Sequence, residues 1–239
     1  MCIRDRYPAY LPTRLAEFYE RAGMVETLSG STGSISIAGS VSPPGGDFSE
    51  PVTQHSKRFV RCMWALDRQL ANARHYPAIS WLDSYSEYVE EISDWWQERS
   101  GGEWSVLRRR IMDLLQQEGK LQQVVKLVGP DVLPDTQRIV LETCTMFKNA
   151  FLQQNSFDRV DMYCTPEKQI KMLRVILDFY DLGLEVIRKG ANIHQLRRLE
   201  VYSEILRIKF AVRNDEIERI DEVRDRLARS MERVAEMFE

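Results

Sequence analysis

Apolar positions along this chain follow two different periods, and the change between them divides it. Ser34-Ile35-Ser36-Ile37-Ala38-Gly39 alternates apolar and polar residues, the period of a half-buried strand, so residues 34–41 are predicted as strand. Upstream, a helix over residues 12–22 sets Leu15, Phe18 and Tyr19 on one face. Gly30-Ser31-Thr32-Gly33 reads as a flexible connector. Helix resumes at Val52, and residues 59–67 fit a buried helix or a buried strand, which periodicity does not separate.

From about Asp83 the helical period takes over. An aromatic-rich helix is predicted over 83–99, closed by Ser100-Gly101-Gly102, with Trp95, Trp96, Trp81 and Trp104 assigned to a helical core. Helices over 103–117 and 121–128 follow, then a turn at Gly129-Pro130-Asp131 and a long helix over 134–154. Thr165-Pro166-Glu167 is a strong helix start: a hydroxyl N-cap, proline in the first turn, and an acid beside the positive end of the dipole. Behind it Ile170, Leu173, Leu177, Tyr180, Leu184 and Ile187 alternate spacings of three and four, one buried stripe that ends before Gly190. A last helix over 215–238 sets Ile217, Ile220, Leu227, Met231, Val234 and Phe238 on one side. No tandem repeat is evident. The two halves differ in kind. Residues 7–82 hold too few strands to close an α/β sheet and read as the tail of a larger domain whose beginning is missing, whereas residues 83–239 are long enough for an all-α core of their own.

Composition narrows the function classes. The 239 residues carry 33 Lys and Arg against 36 Asp and Glu, a net charge of −3, which provides no field for nucleic acid. No apolar run approaches a membrane span, and Met1 to Arg6 lacks the apolar core of a signal peptide. Cys2, Cys62, Cys144 and Cys164 form no CxxC pair, and His55, His75 and His194 are equally scattered, so reduced thiols in a cytoplasmic protein are expected and no metal-ligand spacing exists.

Three stretches could carry chemistry. In Val41-Ser42-Pro43-Pro44-Gly45-Gly46-Asp47-Phe48-Ser49-Glu50-Pro51-Val52-Thr53-Gln54, two prolines fix φ and two glycines permit unusual backbone, a shaped loop that presents Phe48 for stacking on a flat ligand. Asp47 and Glu50 flank it, but with no nucleophile or metal nearby they read as loop caps. Phe151 through Cys164 is a second aromatic cluster, either core aromatics after a helix end or a slot in which Phe157 or Tyr163 helps Phe48 hold a base. Lys126 through Asp135 is a tip between helices with two exposed acids, either an ordinary loop or a protruding contact for a partner. No G-x-x-x-x-G-K-[ST] phosphate loop is present.

These residues together resemble the catalytic A subunit of V/A-type rotary ATPases, the archaeal type above all. The resemblance rests on the Val41–Gln54 block, on Trp64-Ala65-Leu66-Asp67, and on Pro77-Ala78-Ile79-Ser80-Trp81-Leu82-Asp83-Ser84-Tyr85-Ser86. It continues through Phe151-Leu152-Gln153-Gln154-Asn155, Tyr163-Cys164-Thr165-Pro166-Glu167-Lys168-Gln169 and the final helices, and it includes Tyr7-Pro8-Ala9-Tyr10-Leu11. It spans essentially Tyr7 to Glu239, while Met1 to Arg6 does not match and looks foreign.

The resemblance implies the α/β remnant of a RecA-like P-loop nucleotide-binding domain (7–82) followed by an all-α C-terminal domain (83–239). It implies that Phe48, Phe157, Tyr163 and Cys164 flank the adenine of ATP or ADP, and that the tip of Gly129, Pro130, Asp131, Val132, Leu133, Pro134 and Asp135 bears on the central rotor stalk. It further implies an alternating A3B3 ring with the B subunit, at the cytoplasmic face of a membrane whose ion-translocating sector moves protons or sodium. The family's phosphate loop, catalytic Glu and Mg²⁺-associated strand all lie before Tyr7, so the chain is expected to be the C-terminal part, inactive alone, of a longer polypeptide. The competing expectation is a non-catalytic helical interaction protein derived from the same scaffold.

Overall fold

The computed structural model describes residues 7–129 and 132–238. The chain divides into two compact units, one formed by Met1–Trp64 with Ser84–Tyr88, the other by Ala65–Asp83 with Val89–Glu239. Met1 to Arg6 lie outside the described residues.

In the first unit α1 (Leu11–Tyr19) packs on α2 (Pro51–Phe59). Between them β1 (Gly23–Glu26) pairs antiparallel with β2 (Thr32–Ile35), Gly23 opposite Ile35 and Glu26 opposite Thr32. The strand predicted over 34–41 therefore ends where it was expected to begin. Gly30 to Gly33 is no free connector either. Gly30 and Ser31 lie in the hairpin turn, with Gly30 at φ 78° and the Thr27 amide donating to the Ser31 carbonyl at 2.8 Å, and Thr32 and Gly33 open β2. Hairpin pairing takes over here because the turn needs a positive φ, which glycine supplies without steric penalty. Residues 59–67 are neither helix nor strand throughout: α2 stops at Phe59, β3 (Cys62–Met63) pairs with β4 (Tyr85–Ser86), and Leu66 makes an isolated bridge to Ile79. The Tyr85 hydroxyl donates to the carbonyls of Lys57 at 2.8 Å and Val60 at 3.2 Å, covering the orphan carbonyls that end α2.

The second unit starts with α3 (Arg68–Asn72), whose N-cap Asp67 accepts from the amides of Gln69 and Leu70. The helix predicted over 83–99 is shorter: β4 and a 3-10 turn occupy its start, and α4 runs from Ser93 to Ser100. Conversely, the two helices predicted over 103–128 are one, α5 (Trp104–Val128), because Glu118 is buried and pairs with Lys148, holding the turn that contains Gly119. α6 (Asp135–Phe147) runs into a π-helical turn, Lys148–Leu152. α7 (Pro166–Lys189) follows the predicted start and stop, with Thr165 as N-cap and Gly190 at φ 120° after it. Its buried surface is wider than one stripe. Met172, Val175, Ile176, Phe179 and Val186 are buried as well, since α5, α6, α9 and α10 all pack on it. α8 (Ile193–Arg197), opened by a capping box on Asn192, and α9 (Glu200–Ala211) were not predicted. α10 (Glu218–Ala235) closes the unit and buries Ile220, Val223, Leu227, Met231 and Val234.

Trp81 and Trp104 pack against this core, and Trp96 stacks on Trp104 at 5.6 Å. Trp95 does not join it. It is exposed on α4, with the Arg99 guanidinium 3.9 Å above its ring. Cys62, Cys144 and Cys164 are free thiols. Among the described residues no helix is long and apolar enough to cross a membrane.

Candidate functional site

The Phe48 loop is fixed from both sides. Pro44–Gly46 makes a 3-10 turn in which Gly45 and Gly46 sit at φ 66° and 76°, a backbone that other residues rarely adopt. Downstream, the Asp47 carboxylate accepts from the Ser49 amide at 2.9 Å and hydroxyl at 2.6 Å, and these bonds lower its pKa. Glu50 caps α2, accepting from the Thr53 amide at 2.8 Å and the Tyr7 hydroxyl at 2.6 Å. Partial desolvation pulls the Glu50 pKa up, but these hydrogen bonds outweigh it and hold it down to about 2. Both acids are thus caps. Between them, the Gln54 amide donates to the Phe48 carbonyl at 2.7 Å, and the ring stands 37% exposed with the Lys57 ammonium 5.8 Å from its centre.

The second aromatic loop, residues 153–165, joins the end of α6 to α7 in the other unit. Phe157 is 96% exposed and Tyr163 65%, which removes both from the core. Their backbone is nonetheless tied down. The Asp161 side chain is buried and accepts from the Asn155 amide at 2.7 Å, while the Gln154 side chain donates to the Asp161 carbonyl at 2.7 Å. The Asp158 carboxylate accepts from the amides of Val160 and Asp161, both at 2.9 Å, and these bonds lower its pKa. Cys164 packs against the core, and burial pushes its thiol up to about 11, so it is a neutral packing group. Phe48 lies in the first unit; Phe157, Tyr163 and Cys164 lie in the second.

In the 129–135 tip, Pro130 and Asp131 lie outside the described residues. Val132 and Pro134 are exposed, but Leu133 is buried. Asp135 is not the free acid that was expected: it accepts from the Ile193 amide at 3.3 Å and faces Arg138 at 3.7 Å, both of which anchor the start of α6. Exposed Leu127, at the end of α5, makes the tip more apolar than the sequence suggested.

Residues 93–197 match the family described as the C-terminal domain of V and A type ATP synthase, and residues 1–86 match the ATP synthase alpha/beta family, nucleotide-binding domain. A V-type ATP synthase alpha chain from Halothermothrix orenii is 48% identical over 100% of this chain and 41% of its own length. The A subunit of the A-type ATP synthase of Methanopyrus kandleri is 48% identical over 97% of this chain and 40% of its own. That of Thermococcus onnurineus is 50% identical over 90% and 37%. The chain belongs to the family of V/A-type ATP synthase A subunits. It spans about two-fifths of the length of the first of these relatives. Among solved structures, the ATP synthase subunit NeqB of Nanoarchaeum equitans shares the fold at a TM-score of 0.59 and 24% identity, over 72% of this chain and 40% of that one.

The described residues present exposed aromatic rings on hydrogen-bonded loops. No cluster of three or more His, Cys, Asp or Glu side chains among the described residues has metal-site geometry. The sequence reading named Phe157 and Tyr163 as candidates and did not single out the side chains that hold their loop: the buried Lys168 and Lys209, and Asn214. The one available signal was two lysines at otherwise apolar helix positions, which a period count treats as interruptions of the stripe.

Proposed function

We propose that this chain is the C-terminal part of the catalytic subunit of a rotary ATP synthase, the end of a RecA-like nucleotide-binding domain (7–82) followed by a helical domain (83–239). The identity of 48–50% with ATP synthase A subunits across nearly the whole chain supports this reading. In it, Phe48, Phe157, Tyr163 and Cys164 flank the adenine of ATP or ADP. The phosphates and Mg²⁺ belong to residues upstream, and Mg²⁺ supplies neutralisation of the charge that develops on the transferring phosphoryl group. The residues present here position the base and do no bond making, so the chain alone does not turn over ATP. The tip around Val132 bears on the rotor stalk, copies of the whole polypeptide alternate with B subunits in an A3B3 ring, and the assembled complex couples ATP chemistry to proton or sodium movement at the cytoplasmic face of a membrane.

The rings contribute by stacking, about 1–3 kcal/mol per base, a sequence-tolerant term that orients the nucleotide. The test is Phe48→Ala and Phe157→Ala in the assembled enzyme, each titrated with MgATP. Loss of one stacking wall weakens binding roughly fivefold to 150-fold. Unchanged affinity in both variants, with the fold intact, would remove the aromatic loops from the nucleotide site.

A further inference from the structure

The 153–165 loop carries its most exposed rings on a backbone whose anchors come from a different part of the unit. At its first end, the Lys209 ammonium donates to the carbonyls of Asn149 and Gln153, both at 2.7 Å. At its far end, the Asn214 side chain donates to the Tyr163 carbonyl at 2.9 Å and accepts from the Thr165 amide at 3.4 Å. Lys209 and Asn214 bracket the C-terminus of α9, so one short segment grips both ends of the loop. That segment is itself held. The Lys168 ammonium, on the first turn of α7, donates to the carbonyls of Lys209 at 3.2 Å and Val212 at 2.7 Å, the orphan acceptors at the end of α9.

Both lysines are buried, at 1% and 4% exposure. A buried cation is costly unless its donors are met and a counter-charge is near. Burial pulls both ammonium groups below the usual lysine pKa; each spends donors on carbonyls, and the buried Asp161 carboxylate, inside the loop, opposes the burial effect on both, joined at Lys168 by Cys164 and Asp158. The rings need none of this for their own burial, since Phe157 and Tyr163 point outward. The arrangement fixes backbone, not side chains.

We propose that Lys209, supported by Lys168 and Asn214, is a positioning residue for the nucleotide base: the end of α9 staples both ends of the 153–165 loop and thereby sets where Phe157 and Tyr163 stand. This rests on the reading that the loop flanks the adenine. It assigns base affinity to side chains that never touch the base.

The decisive substitution is Lys209→Met, which keeps the aliphatic stem and removes the donors, with Lys209→Arg as the conservative control and Asn214→Ala as a variant that leaves both buried lysines in place. In the assembled enzyme, K209M is expected to raise the KM for MgATP about tenfold while kcat stays within about twofold, a loss confined to binding. K209R is expected to recover most of that loss, and N214A to show a smaller loss. Hydrogen exchange on the same variants is expected to speed up at Asn155 to Tyr163 and to leave the middle of α7 unchanged. Equal loosening of the loop, α7 and α9 with no recovery in K209R would make Lys209 a plain structural residue and overturn the proposal. So would unchanged KM and unchanged loop exchange in K209M. If Phe157→Ala and Phe48→Ala leave MgATP affinity intact, the adenine reading fails, and the positioning role fails with it. Phe157→Ala weakening affinity while K209M does not would overturn the positioning role alone.

Discussion

Gly183 offers a quantitative test of how tightly the helical unit is built. It lies in α7, and a methyl added there would sit 2.5 Å from the Ile139 Cδ1 and 3.3 Å from the Leu196 Cδ1. Carbon atoms pack at about 3.5–4.0 Å, so the end of Ile139 must retreat by roughly 1 Å. Ile139 and Leu196 are both fully buried, in an interior with little free volume to receive them. Overpacking of this kind costs about 1–3 kcal/mol. Replacing glycine by alanine inside a helix returns about 0.8–1.0 kcal/mol. The clash wins, and Gly183→Ala is expected to destabilise by about 1 kcal/mol. Ile139→Val removes the obstructing methyl and by itself costs about 0.5–1.5 kcal/mol. In that background Gly183→Ala is expected to stabilise by up to about 1 kcal/mol, a reversal of sign and a coupling of about 2 kcal/mol. Urea unfolding followed by far-ultraviolet circular dichroism on the four chains reads this directly. An equal gain from Gly183→Ala in both backgrounds would refute the close approach of α6 and α7, the two helices that the 153–165 loop connects.

Three further outcomes follow from charge and burial. Glu50 has a folded pKa of about 2 against an ordinary 4.5, so its contribution to stability is present above pH 4.5 and lost as pH falls toward 2. The Tm difference between the wild type and Glu50→Gln should shrink over that window, and a constant difference would dismiss the cap. His75 is buried with its Nε2 unpartnered among the described residues, and desolvation, then Lys209 and Lys148, push its pKa below 6.5. The unfolded chain takes up that proton first, so stability falls as pH drops below 6.5. His75→Phe, which keeps the edge-on contact with Trp81, should flatten the fall in Tm, and a parallel fall would exclude His75 as its source. Burial raises the Cys144 thiol to about 12, and that residue is 0% exposed, whereas Cys62 is partly exposed. Peptide mapping after iodoacetamide treatment at neutral pH should find Cys62 alkylated well before Cys144, and equal rates would mean that the α5–α6 core opens.

What was legible in the sequence follows from which forces act locally. The α7 boundaries were readable because a hydroxyl N-cap, a first-turn proline and a glycine stop all act within a few residues. The break expected near Gly119 was wrong because the buried Glu118 pairs with Lys148 across 30 positions. The β1–β2 hairpin was missed because Gly30 reads equally as a linker or a tight turn until its φ is known. At the candidate site Phe48 was legible from its Pro/Gly loop, whereas residue type alone left Phe157 and Tyr163 open between core and slot until their exposure was known. Their supports are side-chain donors to backbone carbonyls some 50 to 60 residues away, as from Asn214 to Tyr163 and from Lys209 to Asn149. Such bonds leave no period and no motif.

Those supports matter energetically. Stacking gains about 1–3 kcal/mol per base. Fixing the rotamer of one ring costs about 0.5–1.5 kcal/mol, which the gain exceeds or matches. Ordering a loose backbone costs about 1–2 kcal/mol for each residue fixed, so ordering even three or four of the residues from Gln153 to Thr165 would exceed the whole gain. A mobile loop bearing Phe157 and Tyr163 would therefore be of little use for holding a base. With Lys209 and Asn214 gripping its ends and Asp161 closing its middle, the backbone cost is met during folding, by the same burial that builds α7 and α9. On the proposed adenine reading, only the ring rotamers are left for the nucleotide to fix. Two lysines buried in a helical core, a liability on any count of apolar positions, thus fit the proposal of a loop whose exposed aromatics are in place before a nucleotide binds.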